Sequence, residues 1–218
     1  MTNPPARVYC VSMTWWESAY RCGHVNWDPG EYDGHLPWLL DRFEIRCGRV
    51  IDLGCGTGKS AVWLAERGFD VVGIDFAPTA VRQAQALAQR RGVKVDFRCG
   101  EFPADFPAGS FGETDNALRL GAFDLAVERG FLQHFGRGRQ LQRALRRIAQ
   151  LLRPQALFYS LITAREGNRR GWGSSLWSEA EIRAAMQELF LIRYMELSVF
   201  TPGEAGSMPA WLSVMSPK

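Results

Sequence analysis

Arg49-Val-Ile-Asp-Leu-Gly-Cys-Gly-Thr-Gly-Lys59, followed by a second apolar run that ends in Gly73-Ile-Asp-Phe76, decides the fold of this chain. Val50, Ile51 and Leu53 read as a buried strand, Gly54, Gly56 and Gly58 as a sharp turn, and Ala61-Val-Trp-Leu-Ala65 as the first turns of a helix. Glycine lacks the Cβ that would hold a ligand away from the backbone, and the helix start beyond it presents unpaired N–H groups. Asp75 closes the next strand about twenty residues on, where a carboxylate can accept from ribose hydroxyls.

Three cofactor classes use related turns. The phosphate loop requires four residues between its first glycine and Gly-Lys-Ser, whereas Gly54 to Gly58 encloses three, so Gly58-Lys59-Ser60 is a near miss. Gly56-x-Gly58-x-x-Ala61 fits the tolerant form of the dinucleotide fingerprint. Against that reading stands Asp52, an acid two residues before the first glycine, which would repel a pyrophosphate and welcome a cationic amino-acid moiety. S-adenosylmethionine carries such an ammonium.

Val50-Ile-Asp-Leu-Gly-Cys-Gly-Thr-Gly58 and Val72-Gly-Ile-Asp-Phe76 resemble the first two motifs of class I S-adenosylmethionine-dependent methyltransferases, over a stretch from about Cys47 to the C-terminus. Trp15-Trp16-Glu17 and Asn26-Trp-Asp-Pro-Gly30 are loosely similar to the leading segment of thiopurine, halide or thiol methyltransferase-like members. The segment after Phe76 lacks the aromatic, proline-containing signature of a thiopurine enzyme.

Strands are expected at 49–53, 69–74, 93–99, 122–128, 156–163, 190–200 and 209–215. Helices are expected at 58–67, 77–91, 137–152 and 178–188, with Gly68 and Gly92 as stops and Ser178 as an N-cap before Glu181. The alternation specifies an α/β, doubly wound sheet covered on both faces. Only Thr201 to Met208 joins the last two strands, so the final strand should be antiparallel. The resemblance implies seven strands in the order 3-2-1-4-5-7-6, a Rossmann-like methyltransferase fold. One domain is expected over 1–218, with 1–46 as a cap and 47–218 as the core. Because the sheet starts only near Arg49, the cofactor turn should owe nothing directly to the cap.

Ligands of such a sheet bind beyond the carboxyl ends of its strands. The candidate cofactor-binding residues are therefore Asp52, Gly54, Cys55, Gly56, Thr57, Gly58, Asp75, Phe76, Glu101, Phe102 and Glu128. The resemblance places Glu101 at the adenine edge, and a solvated loop acid is the alternative. Catalytic candidates are Glu128, Arg129 and His134, although family members often carry a histidine there that packs under the cofactor. His24 and His35 belong to the cap, and either could face solvent. Trp15, Trp16, Tyr20, Trp27, Tyr32 and Trp38 offer aromatic faces for a lid or for core anchoring, and Trp172 and Trp177 could form a second flap. The insertion from Pro103 to Ala122 is long enough to be functional, or simply a surface loop.

A chain of 218 residues can bury a full core, and its net charge of +3 is small. Arg137, Arg139, Arg143, Arg146 and Arg147 should lie on a solvated helix surface, so no nucleic-acid partner is expected. No run suits a membrane span and no signal pattern opens the chain, so the cytoplasm is the default compartment. The 5 cysteines form no Cys-x-x-Cys pair, so neither a disulfide framework nor a metal site is expected. Cys55 and Cys99 read as small buried thiols, while Cys10 and Cys22 are free cysteines or flank a soft, thiophilic substrate.

The reading is a methyltransferase that uses S-adenosylmethionine, releases S-adenosylhomocysteine and acts on a small molecule, a thiol, selenol or other soft nucleophile slightly ahead of other acceptors. A natural-product or quinone-type O- or N-methyltransferase is the alternative. An NAD(P)-binding oxidoreductase and a noncatalytic binding module are more distant ones.

Overall fold

The computed structural model describes residues 13–28, 30–103, 118–168, 175–201 and 207–218. Trp172, Cys10 and residues 104–117 of the expected insertion lie outside the described residues.

Two helices, α1 (Met13–Cys22) and α2 (Leu36–Arg42), precede the sheet. Then come β1 (Arg49–Leu53), α3 (Lys59–Ala65), β2 (Asp70–Asp75), α4 (Pro78–Arg91), β3 (Asp96–Cys99) and β4 (Phe123–Arg129). A 3-10 turn (Leu132–Phe135) leads to α5 (Arg139–Leu151), β5 (Leu152–Thr163), α6 (Glu179–Met186), β6 (Phe190–Val199) and β7 (Pro209–Pro217). The sheet order is β3-β2-β1-β4-β5-β7-β6, with β7 antiparallel to both of its neighbours. The doubly wound sheet and its antiparallel last strand are those expected from the alternation and the short last link, and the strand order is the one the resemblance implied.

Alternate strand residues feed two cores. Ile51, Leu53, Val72, Ile74, Phe158 and Ile162 pack with Leu141, Leu145 and Ile148 of α5 and Ile182 of α6. Val50, Val71, Leu125, Val127 and Tyr159 pack on the other face with Leu39 of α2, Val62 of α3 and Ala84 of α4. Burial on both faces explains why β1 and β2 are largely apolar, with Asp52 the exception inside β1.

Gly92, at φ +68°, ends α4, and Ser178 caps α6 in a reciprocal box with Glu181. Strand β5 departs from expectation. It begins at Leu152, directly after α5, and a register shift between Phe123 and Leu125 lets Leu152 pair with β4 ahead of the main ladder. Neither α1 nor α2 was among the expected elements.

Candidate cofactor and acceptor site

The glycine turn sits where β1 ends. Gly54 and Cys55 both donate to the Ile74 carbonyl of β2, which folds the chain back across the strand ends. All three glycines have positive φ, at +69°, +55° and +77° for Gly54, Gly56 and Gly58. Space demands glycine as well. A Cβ on Gly54 would come within 2.8 Å of the Phe131 ring, and one on Gly58 within 2.6 Å of Phe97. A Cβ on Gly56 would meet the Tyr20 hydroxyl at 2.9 Å.

Two buried acids flank the turn. Asp75 accepts from the Gly56 amide at 3.0 Å and from the Ala77 amide at 2.9 Å, which leaves lone pairs on both oxygens. Burial raises its pKa against these stabilising amides. Asp52 is more isolated, because its Oδ2 is buried and has no hydrogen-bond partner among the described residues. Burial, then the charges of Asp75, Asp33 and Glu128, pushes its pKa up to about 7. Among the described residues no cation stands beside it to hold it ionised.

The N-terminal segment is tied directly to this turn, contrary to the expected independence of cap and cofactor site. Thr57 donates to Asp28 Oδ2 at 2.6 Å, and Lys59 pairs with Asp28 Oδ1 at 2.9 Å. Glu17 of α1 accepts the Thr79 amide at 2.9 Å and its hydroxyl at 2.5 Å. Tyr20 is buried with Ala77 and Ala80, and its hydroxyl accepts from the Trp27 indole at 3.3 Å. Sequence reasoning missed Glu17 and Asp28. The signal for Glu17 was Ala77, an N-cap position without a side chain able to cap.

Trp15, Trp16 and Trp27 gather into one cluster, with ring centroids 4.7–5.3 Å apart. Trp16 also meets the His134 ring at 4.8 Å, so α1 reaches across to the turn after β4. The other aromatics of the segment go elsewhere. Tyr32 stacks on Trp63, and Trp38 packs against Phe43 and Tyr194. Trp177 is no flap, because it is fully buried in the core with the Arg137 guanidinium over its ring.

At the exit of β4, Glu128 is buried with both oxygens engaged. Oε2 accepts the Phe131 and Leu132 amides, and Ser160 donates to Oε1. Burial still raises its pKa to about 7. Arg129 donates to the Trp27 carbonyl at 2.9 Å and to the Phe200 carbonyl at 3.1 Å, clamping the N-terminal segment and the end of β6 onto β4. His134 is open to solvent on one side, and the protein around its ring lowers its pKa to about 4. Phe102 is buried in the core and meets Phe131 edge-on, while Glu101 is exposed at the end of β3 and Phe76 is half-buried beside Tyr20.

Of the two cap histidines left open, His24 faces solvent and His35 does not, and the expectations for Cys99 and Arg147 are corrected. His35 is buried, with Nδ1 3.0 Å from Asp33 Oδ1 and Nε2 2.9 Å from Ser198 Oγ, while Tyr159 donates to the other oxygen of Asp33. Cys99 is exposed at the end of the edge strand β3, whereas Cys55 is partly buried. Arg147 lies inside α5's packed face and donates to the Leu118 carbonyl, away from the solvated arginine surface. Among the described residues no group of three potential metal ligands gathers, and no helix is long and apolar enough to cross a membrane.

A glycine turn between two buried acids, at the carboxyl ends of a sheet in this order, defines a class. Residues 50–155 match the family model described as a methyltransferase domain. That match and the sheet order agree with the class I S-adenosylmethionine-dependent methyltransferase resemblance read in the sequence. It is 30% identical over 127 residues to the 2-heptyl-1-hydroxyquinolin-4(1H)-one methyltransferase of Mycobacteroides abscessus, covering 54% of this chain and 55% of that protein. It is 27% identical to a ubiquinone biosynthesis O-methyltransferase of a Methylobacterium species, over 71% of this chain and 60% of that protein. The chain thus aligns with little more than half the length of these two relatives. In fold it is similar to the Burkholderia thailandensis 1,6-didemethyltoxoflavin-N1-methyltransferase solved with 1,6-didemethyltoxoflavin and S-adenosylhomocysteine bound. That likeness has a TM-score of 0.72 at 21% identity, covering 100% of this chain and 94% of the other.

Proposed function

We propose that the protein transfers a methyl group from S-adenosylmethionine to a small molecule whose reacting atom ionises near neutral pH. The observation that carries this reading is the Oδ2 of Asp52 beside the glycine turn, buried without a hydrogen-bond partner among the described residues. A buried carboxylate without a counter-charge suits the ammonium of the cofactor's amino-acid end, and the acid would repel a dinucleotide's pyrophosphate. Asp75 supports it, since the lone pairs left by the Gly56 and Ala77 amides suit the ribose hydroxyls. Gly54, Cys55, Gly56, Thr57 and Gly58 provide the close backbone approach, with Phe76, Glu101 and Phe102 toward the adenine.

S-adenosylmethionine supplies an electrophilic methyl group on a sulfonium. The protein's part is to align the acceptor and exclude water, a task that the contacting rings of Trp15 and Trp16 on α1 and of Trp27 would suit as a lid. The exit of β4 offers little base strength among the described residues. Glu128 is occupied by its amide and hydroxyl donors, and His134, with a pKa near 4, binds a proton weakly. Acceptors that ionise easily need no stronger base.

Thiols and selenols meet that condition, and so do acidic hydroxyl or ring N–H groups of heteroaromatic compounds. The second class is favoured by the relatives, named for a hydroxyquinolone and for ubiquinone biosynthesis, and by the N-methyltransferase of similar fold. The test is a screen with methyl-labelled S-adenosylmethionine over thiophenol, catechol, 1-hydroxyquinolin-4(1H)-one and an unactivated aliphatic alcohol. Label should pass to at least one acidic acceptor and not to the alcohol. Transfer to the alcohol alone would overturn the reading.

A further inference from the structure

We infer that Gln133 is an acceptor-selecting hydrogen-bond donor that recognises a carbonyl or ionised oxygen on the methyl acceptor; the inference rests on the methyltransferase reading above. Gln133 lies in the 3-10 turn after β4 and is only 9% exposed. Its Oε1 accepts from the Thr163 amide at 2.8 Å and from the Thr163 hydroxyl at 2.5 Å. A backbone N–H can only donate, so the carboxamide oxygen must face Thr163 and the NH2 group must face the opposite way. The rotamer is thereby fixed from one end.

The free end points along the exit of β4. Nε2 lies 3.7 Å from the point a Cβ on Gly130 would occupy, and the Phe200 ring lies 3.3 Å from the same point. Gly130, at φ +73°, leaves that space open. No hydrogen-bond partner for Nε2 exists among the described residues. Next along the chain, the Arg129 guanidinium stands over the Phe200 ring at 5.1 Å, so the neighbourhood is positive as well as donor-rich. Nε2 is not one of the buried side-chain atoms that lack a partner among the described residues, so it keeps solvent access and can donate to an entering ligand, for which the matching group is an electron-rich oxygen. The carboxyl ends of β4 and β5, where Gly130 and Thr163 lie, are where an open sheet receives its ligand. A site built to donate to a ligand oxygen also rejects analogues without it.

Calorimetry on S-adenosylhomocysteine-saturated protein tests the assignment, with quinolin-4(1H)-one and the oxygen-free quinoline as probes. The wild type should bind the quinolone at least tenfold more tightly. Gln133→Glu keeps an oxygen for Thr163 and replaces the outward donor with an acceptor, so it should abolish that preference while leaving S-adenosylhomocysteine affinity within about twofold. Equal binding of both probes by the wild type overturns the assignment without any variant, and so does a preference that survives in a folded Gln133→Glu protein. Failure of the wild type to bind S-adenosylhomocysteine refutes the methyltransferase reading separately, and the probe comparison then stands on the unliganded protein.

Discussion

The carboxylate of Glu17 caps a helix 62 residues further along the chain, accepting the amide and hydroxyl of Thr79 where α4 begins. Helix α4 follows Asp75 at once, and its own N-cap, Ala77, has no side chain to offer. The cap segment is thus joined to the strand end that carries the proposed ribose acceptor. Glu17→Gln keeps one acceptor oxygen but loses the charge, and it should lower stability by about 1 kcal/mol. It should also weaken S-adenosylhomocysteine binding several-fold. Thermal melting with and without ligand reads both effects, and an unchanged ligand-induced shift would separate the cap from the cofactor site.

Asp52 yields a pH prediction. Its folded-state pKa of about 7 lies above the usual carboxylate value of 3.8, so the folded protein holds a proton there that the unfolded chain has released between those two values. Stability from this group is therefore present at low pH and lost as pH rises toward 7. Asp52→Asn should melt like the wild type at pH 4 and higher than the ligand-free wild type at pH 8. Cofactor affinity runs the other way. Wild-type binding of S-adenosylhomocysteine should strengthen from pH 5.5 to 8, and the variant's should be weak and flat. A wild-type affinity that ignores pH would remove Asp52 from the ammonium site.

Gly58 and Gly68 both have positive φ but differ in surroundings. An added Cβ at Gly58 would meet Phe97 at 2.6 Å and Ala84 at 2.7 Å, whereas at Gly68 it meets nothing within 4 Å. Gly68→Ala should cost about 1 kcal/mol, from backbone strain alone. Gly58→Ala adds overpacking, for a total of roughly 2–4 kcal/mol. Denaturant midpoints of the two variants give the comparison, and equal losses would contradict the packing described for the turn.

Arg129 holds the Trp27 and Phe200 carbonyls together. Arg129→Gln should raise the KM for the acceptor about tenfold or more through loss of two charge-assisted hydrogen bonds, while S-adenosylhomocysteine affinity falls far less. Steady-state kinetics alongside calorimetry separates these outcomes. A parallel loss in both would make Arg129 a support of the whole cleft.

The sheet, its antiparallel last strand and the cofactor turn were legible from local rules, namely apolar runs buried on two faces, a glycine-rich turn and a short last link, whereas the strand order came from the family resemblance. Asp52 stood out as an acid within a buried strand. Glu17, Asp28 and Gln133 stayed hidden, because each acts through a partner 29 or more residues away and no periodicity marks such pairs. Trp177 misled for the opposite reason. A tryptophan near a cleft suggests a lid, yet its bridge to Ala164 draws it into the core. Composition placed Arg147 on the surface with its neighbours, while the phase of α5 turns it inward.

The most direct test of the cofactor assignment is calorimetry at pH 8 with S-adenosylhomocysteine and NAD+, on the wild type and on Asp75→Ala. The wild type should bind S-adenosylhomocysteine and not NAD+. The folded variant should lose roughly tenfold or more in affinity, as expected when charge-assisted acceptors for ribose hydroxyls are removed. Tighter binding of NAD+ than of S-adenosylhomocysteine, or an unchanged S-adenosylhomocysteine affinity in the folded variant, would contradict it.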